Sequence, residues 1–113
     1  MQDKLKDMLE RGGGTHTLKD ILAAIERGKM QSHVFGDTWL VTEIQDFPQK
    51  TNVHINFCVG NLDDVIKFGE PGVTEWAKEI NADMMTMVCR VGHMRNPMPD
   101  WRLVGLHSMK ELK

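Results

Sequence analysis

Glu43 is the acidic residue best placed for chemistry, since it stands in the run LVTEIQ with strand-forming residues on both sides. Burial within a strand can raise the pKa of a carboxylate, which can then act as a general base. The alternative is a partly exposed glutamate on the polar face of the strand, or a partner in an ion pair. Glu43 is therefore the catalytic candidate, with a surface role left open.

The cysteines and histidines predict no metal site. His54 and Cys58 fall on one face of a strand, but four residues of extended chain place them about 13 Å apart. Zinc ligands must each lie within about 2.3 Å of one ion. Cys89 and His93 would need the chain to fold back after Arg90 before they could act as a dyad. Buried, reduced structural thiols are the better interpretation.

The run RVGHMR is the most basic local stretch of the chain. Arginine side chains bind anions through paired hydrogen bonds, and a glycine lets a ligand approach the backbone closely. We expect Arg90, His93, Arg95 and Trp101 to line a cleft for an anion or an acidic partner. The alternatives are that the arginines pair with nearby acids and that Trp101 belongs to the core.

Length and charge restrict the function classes. A chain of 113 residues forms one domain. Its net charge of -2 gives no bulk electrostatic reason to bind nucleic acid or an anionic membrane. No apolar run approaches the roughly 18 residues that span a bilayer, and MQDKLKDMLERGGG lacks the apolar region of a secretory signal. We therefore expect no nucleic-acid partner, no membrane partner and a cytoplasmic location.

The first half of the chain predicts helices followed by a hairpin. Residues 1–14 are expected to form a short helix with a glycine-rich hinge, and residues 15–113 the main domain. THTLKDILAAIERGK predicts an amphipathic helix that Thr15 or Thr17 caps and Gly28 ends. The turn residues Gly36 and Asp37 separate two extended runs, 31–35 and 38–46, which indicates a hairpin.

The second half predicts a third strand, two helices and two more strands. Strict alternation along VHINFCVG would place Val53, Ile55, Phe57 and Val59 on one face of the third strand. NLDDVIKFGEPG then predicts a brief helix or turn, closed by Gly69 and the Pro71-Gly72 break. VTEWAKEINA predicts a second helix, with Thr74 as its cap. DMMTMVCRV and WRLVGLHSMKELK predict the last two strands, so that the whole forms a mixed sheet.

This order, with particular segments, resembles the GNAT acyltransferase superfamily, and more closely its short members from tailed bacteriophages and prophages. The resemblance rests on LKDILAAIERGKMQS, TWLVTEIQDFPQKTNVHINFCVGNLDD, VTEWAKEINADMMTMVCRVGHMR and DWRLVGLHSMKEL. It implies a single α/β domain, α+β by some definitions, with a GNAT-like mixed sheet flanked by helices. It also implies a location in the host cytoplasm or the virion.

In GNAT enzymes a glycine-rich loop after the central strand presents backbone amides to the pyrophosphate of acetyl-CoA. The matching residues here, if the cofactor binds, are Cys58, Val59, Gly60 and Asn61. This stretch has one glycine and no basic residue before it, and Asp63 and Asp64 follow in the first turn of the next helix. Each such carboxylate would repel a pyrophosphate by about 1 to 4 kcal/mol at about 4 Å. We therefore expect no cofactor, with acetyl-CoA as the exception if the chain is an enzyme.

Three functions stay open. The first is a degenerate, non-catalytic GNAT-like phage or prophage protein that acts by protein–protein contacts, including self-association, as a virion-associated, assembly or host-interaction factor. The second is an acetyl-CoA-dependent N-acyltransferase with an atypical pyrophosphate loop and Glu43 as base. The third is a small-molecule or peptide binding module that uses the cleft of the sheet. Fold likeness alone does not separate them.

Overall fold

A computed structural model of the chain describes residues 16–88, 100–102, 104–105, 108 and 110–112, apart from the side chain of Leu62. The predicted first helix and hinge, residues 1–14, lie outside this part of the chain. So do Cys89, Arg90, His93 and Arg95.

The described residues form a four-stranded mixed sheet with helices on both faces, which confirms the predicted α+β class. The elements are α1 (Leu18–Glu26), β1 (Gln31–Phe35), β2 (Thr38–Asp46), β3 (Thr51–Val59), α2 (Leu62–Asp64), a π-helical turn (Val65–Gly69), α3 (Glu70–Glu79) and β4 (Met84–Met87). Strand order is β1-β2-β3-β4, and β4 pairs with β3 in parallel while the other neighbours are antiparallel.

Helix α1 begins where its capping residues predict. The Thr17 hydroxyl accepts a hydrogen bond from the Asp20 backbone N–H at 3.2 Å, and the Asp20 carboxylate accepts one from the Thr17 N–H at 2.9 Å. This reciprocal capping satisfies two amides that the first turn would otherwise leave unpaired. Ile21 on the inner side of α1 is fully buried against Trp39 and Val41 of β2, so α1 covers one face of the sheet, called here the α1 face.

A bulge in β3 divides that strand into two parts with opposite orientation. Val41 pairs with Phe57 but Thr42 pairs with Ile55, so Asn56 is the extra residue on β3. An extra residue reverses which side chains point to each face. The predicted strict alternation is therefore wrong: Val53 and Ile55 pack under α3, on the α3 face, whereas Phe57 and Val59 pack under α1.

The helical segment after β3 is continuous from 62 to 79, so the predicted break at Pro71-Gly72 is wrong. A proline within a regular α-helix lacks its N–H and clashes with the carbonyl four residues earlier. The π-helical turn ends two residues before Pro71 and widens the helix there, which accommodates the ring. Thr74 is accordingly not a cap, and its hydroxyl donates to Glu70 Oε1 at 2.8 Å.

The last predicted strand is not found in the part of its sequence that the structure describes. Residues 100–102, 104–105, 108 and 110–112 are all outside strands. Trp101 nevertheless packs against the cluster under α3, which ties this segment to the domain. None of the helices in the described ranges is long and apolar enough to cross a membrane.

Candidate functional site on the sheet

Polar side chains cover the half of the α1 face that lies beyond the α1 contact. Strand alternation puts Glu43 and Gln45 on the same side of β2 as Trp39 and Val41, which pack under α1. The residues opposite Glu43 and Gln45 on β3 are polar as well. This surface, the polar strip, consists of Glu43, Gln45, Asn52, His54, Asn56 and Thr86.

Thr86 of β4 joins two side chains of β3 across the parallel pair. Its hydroxyl oxygen lies 2.7 Å from Asn52 Nδ2 and 2.7 Å from His54 Nδ1. Asn52 Nδ2 also donates to Gln45 Oε1 at 2.9 Å, so both amide hydrogens of Asn52 are used. Its Oδ1 atom is buried and has no hydrogen-bond partner among the residues that the structure describes. The network fixes Asn52 and His54 in place.

Glu43 and His54 face each other across β2 and β3 and are both half-buried. Asn56, the bulge residue, donates from Nδ2 to Glu43 Oε2 at 3.4 Å. Burial lowers the pKa of His54, and the nearby Glu43 carboxylate offsets part of that effect. A carboxylate beside a neutral imidazole can accept a proton from an amine, so this is the part of the strip where acid–base chemistry is possible.

The described pairing of β3 with β4 ends at the bulge. The parallel pairing spans Asn52 to Ile55 on β3 and Met84 to Met87 on β4, whereas β3 continues to Val59. Cys58 and Val59 therefore lie on a part of β3 that has no described neighbour on the β4 side. Val59 is buried in the α1 cluster, and Cys58 is half-buried against the α3 cluster. Burial raises the pKa of the Cys58 thiol to about 11, so this group is not an activated nucleophile.

Two residues, Gly60 and Asn61, connect β3 to α2. Asn61 Oδ1 accepts a hydrogen bond from the Asp64 backbone N–H at 2.9 Å, and Asn61 Nδ2 donates to Asp64 Oδ2 at 3.0 Å. Gly60 has φ of 140° and lies against β2: a Cβ atom there would be 2.9 Å from Thr38 Oγ1. The connection is therefore short, closely packed and capped by its own side chain.

Trp101 lies away from the polar strip. It packs against the α3 cluster, and its indole Nε1 donates to Glu70 Oε1 at 3.3 Å. The structure therefore does not bring Trp101 together with Glu43. A cleft that Trp101 shares with Arg90, His93 and Arg95 stays a prediction, because those three residues are outside the described ranges.

Sequence reasoning missed Asn52 and Thr86. The position of Thr86 among the methionines of ADMMTMV suggests packing, although a threonine in an apolar strand carries a hydroxyl that needs a partner when buried. A threonine among methionines was therefore the signal in the sequence for a buried hydrogen bond. In the described part of the chain, no group of three or more histidine, cysteine, aspartate or glutamate side chains is arranged to hold a metal ion.

Comparison with known proteins supports the fold and is silent on chemistry. No protein-family model matches the chain, and no curated protein matches it in sequence. Among solved structures, the crystal structure of a variant of TTHA1254 from Thermus thermophilus is similar, with a TM-score of 0.60 and 13% identity. The match covers 100% of this chain and 95% of that chain. At this identity the likeness shows a shared fold alone.

Proposed function

We propose that the chain is a GNAT-like protein that acts by protein–protein contacts and does not transfer an acyl group. The sequence resemblance to short phage and prophage members suggests a virion-associated, assembly or host-interaction role. The observation that carries the proposal is the connection between β3 and α2, where an acetyl-CoA enzyme of this superfamily needs a pyrophosphate loop.

That connection is short, and one of the amides at the start of α2 is already hydrogen-bonded. It consists of Gly60 and Asn61, and the Asn61 side chain already accepts from the Asp64 N–H. Unpaired backbone N–H groups and the helix dipole together bind a phosphate at the start of a helix. The Asp64 N–H is not available for this because Asn61 already accepts from it. Asp63 and Asp64 also place two carboxylates in the first helical turn, where they would repel a pyrophosphate.

The exposed apolar side chains are consistent with a contact function. Val34, Phe47 and Phe68 are each more than half exposed, at 58%, 51% and 56%. Exposed apolar residues that are scattered singly are ordinary, and a contiguous patch is what marks a contact surface, so these three side chains are compatible with a contact function and do not carry the proposal.

Thermal unfolding in the presence of acetyl-CoA tests the proposal. A ligand at about a hundred times its Kd stabilises the folded state by about 2.7 kcal/mol, which raises the Tm of a domain of this size by roughly 10 °C. We expect no saturable rise up to millimolar acetyl-CoA, while a known acetyl-CoA enzyme in the same assay shows one. A saturable rise for this chain would overturn the proposal.

The second candidate is an N-acyltransferase, and the Glu43–His54 pair favours it. Glu43 is half-buried, accepts a hydrogen bond from Asn56 and lies opposite a histidine whose pKa is lowered by burial. If the chain has this function, it acylates an amine in the presence of acetyl-CoA. The Glu43→Gln variant should lose that activity and keep the Tm of the wild type. Asp46→Asn, at the end of the same strand, removes the same charge and keeps the oxygen that accepts from Thr51, so it is the control for a mere change in charge.

A further inference from the structure

Strand β1 is an edge of the sheet in the part of the chain that the structure describes. Its sequence, QSHVF, has no charged residue and no proline, and its pairing with β2 runs without a bulge. Natural edge strands are usually protected by lysines, prolines or bulges, because their unpaired backbone groups can add another strand. An edge without such protection is suited to pair with a further strand.

The backbone groups that face outward belong to Ser32 and Val34. The two-residue turn Gly36-Asp37 closes with a hydrogen bond between the flanking residues, Phe35 and Thr38. Hydrogen-bonded and non-bonded pairs alternate along an antiparallel ladder. The inward-bonded residues of β1 are therefore Gln31, His33 and Phe35, which leaves the N–H and C=O of Ser32 and Val34 directed away from β2.

We propose that β1 pairs antiparallel with β1 of a second copy of the chain, about a two-fold axis at His33. In this register Ser32 lies opposite Val34 of the second copy, so both outward residues exchange their N–H···O bonds with a partner. Symmetry doubles the pair, and the two four-stranded sheets become one continuous sheet. The partner is therefore identical, and the surface is self-complementary.

Charge at the two ends of β1 selects this register. Lys29 and Asp37 lie in the turns that flank β1, so in this register Lys29 of each copy is at the same end of the interface as Asp37 of the other. Both residues are exposed, and neither has an ion-pair partner within the described ranges. Shifting the register by two residues would pair Ser32 with itself, or Val34 with itself. It would also move each lysine about 7 Å along the strand from its aspartate.

The surroundings of Asp37 add to the complementarity. An open pocket there is lined by Asp37 itself and by Phe35, Phe68 and Asp64. Two aromatic rings and two acids form a favourable environment for an ammonium group. A lysine that reaches Asp37 from the second copy arrives at this pocket.

The residue on the two-fold axis leaves room for its copy. His33 Nε2 lies 2.9 Å from Thr42 Oγ1, and the ring meets Trp76 edge to face at a centroid distance of 4.6 Å. Both contacts hold the imidazole over its own sheet and under α3. The two copies of His33 would thus lie side by side on the non-hydrogen-bonded position of the ladder.

This inference rests on the proposed function, since it names a second copy as one protein that the chain contacts. Sedimentation equilibrium of the full chain across a dilution series measures the association. We expect a monomer–dimer equilibrium, and Val34→Pro should abolish the dimer because proline removes an outward N–H. The same change removes no hydrogen bond within the monomer, since edge positions of this kind tolerate proline. A circular dichroism melt confirms that the variant is folded.

A charge exchange provides the decisive comparison. Lys29→Asp and Asp37→Lys should each raise the dimer Kd by about three- to thirty-fold, because each change replaces two attractive pairs with two repulsive ones. The double variant should restore the wild-type Kd, since it re-forms both pairs with the charges reversed. A monomeric wild type, a dimer unaffected by Val34→Pro, or a double variant as weak as the singles would overturn the inference. Each of those results leaves the acetyl-CoA test of the proposed function unaffected.

Discussion

The hydroxyl of Thr86 is the part of the polar strip whose removal gives the clearest test. It lies 2.7 Å from both Asn52 Nδ2 and His54 Nδ1, and it is the side-chain link that joins β4 to β3 across this strip. Thr86→Val keeps the shape and the branched Cβ of threonine and removes only the hydrogen-bonding group. Thr86→Ser is the matched control, since it keeps the hydroxyl and removes a methyl group.

The magnitude follows from how deeply each partner is buried. Asn52 is 2% exposed, so in the valine variant one of its amide hydrogens would be buried without an acceptor. A buried unsatisfied donor costs about 1–3 kcal/mol. His54 is half-buried, and water can replace the hydroxyl there at little cost. We therefore expect Thr86→Val to lower the free energy of unfolding by about 1–2 kcal/mol, which is a fall in Tm of roughly 4–8 °C.

Urea and thermal denaturation, followed by circular dichroism, measure both variants. Thr86 is half-buried as a whole, so the loss of its methyl group in Thr86→Ser should cost about 0.5 kcal/mol, less than the value for a fully buried CH₂. The order of stability should be wild type, then Thr86→Ser, then Thr86→Val. If Thr86→Val equals the wild type, or is more stable than Thr86→Ser, the hydroxyl does not hold Asn52 in the way described.

Three further outcomes are expected. At pH 8, Cys58 should be alkylated about a hundred times more slowly than an ordinary thiol, because burial raises its pKa from 9.0 to about 11. Peptide mapping after alkylation measures the rate, and a rate equal to that of an ordinary thiol would contradict the expectation. Burial lowers the pKa of His33 and of His54 below 6.5, so the unfolded chain binds more protons just below that pH. Urea denaturation should therefore show stability lost as the pH falls through 6.5, and a flat profile would contradict this. Gly69→Ala should lower the Tm, because the added Cβ would lie 2.9 Å from Leu40 Cδ1. Such overpacking costs about 1–3 kcal/mol, more than the roughly 1 kcal/mol by which alanine favours a helix over glycine. A higher Tm would refute this expectation.

The elements set by local chemistry could be predicted from the sequence. The capping residue Thr17 and the apolar stripe of α1 indicate that helix, and the Gly36-Asp37 turn indicates both strands of the hairpin with their observed limits. In each case the signal lies within about four residues of the feature it determines, as it does for caps and tight turns.

The bulge at Asn56 could not be predicted, because the sequence of β3 alternates regularly through it. Whether Phe57 faces α1 or α3 depends on the register against β2, and α1 is far away in the sequence. A tertiary contact therefore overrode the local pattern: burial of Phe57 and Val59 beside Trp39 requires one extra residue in β3. The same bulge turns Asn56 toward Glu43.

The candidate site was partly visible in the sequence. The strand residues that flank Glu43 single it out, and the structure places it on the polar strip as a half-buried residue. That Glu43 lies opposite His54 follows only from the pairing of β2 with β3. That Thr86 contacts Asn52 and His54 follows only from the parallel pairing of β3 with β4. Contacts between strands that are far apart in sequence follow from topology, which residue spacing alone does not supply.

The glycines around the segment after β3 serve packing, although a glycine between a strand and a helix is also typical of phosphate binding. A Cβ at Gly69 would meet Leu40, one at Gly72 would overlap the ring of Phe35, and one at Gly60 would meet Thr38. All three contacts are to the β1–β2 hairpin, so the missing side chains let the helical segment lie directly against it. Glycines in a phosphate loop leave space for a ligand, whereas here the protein itself fills that space. The segment therefore holds the hairpin and its edge strand in place, as the proposed pairing of β1 requires.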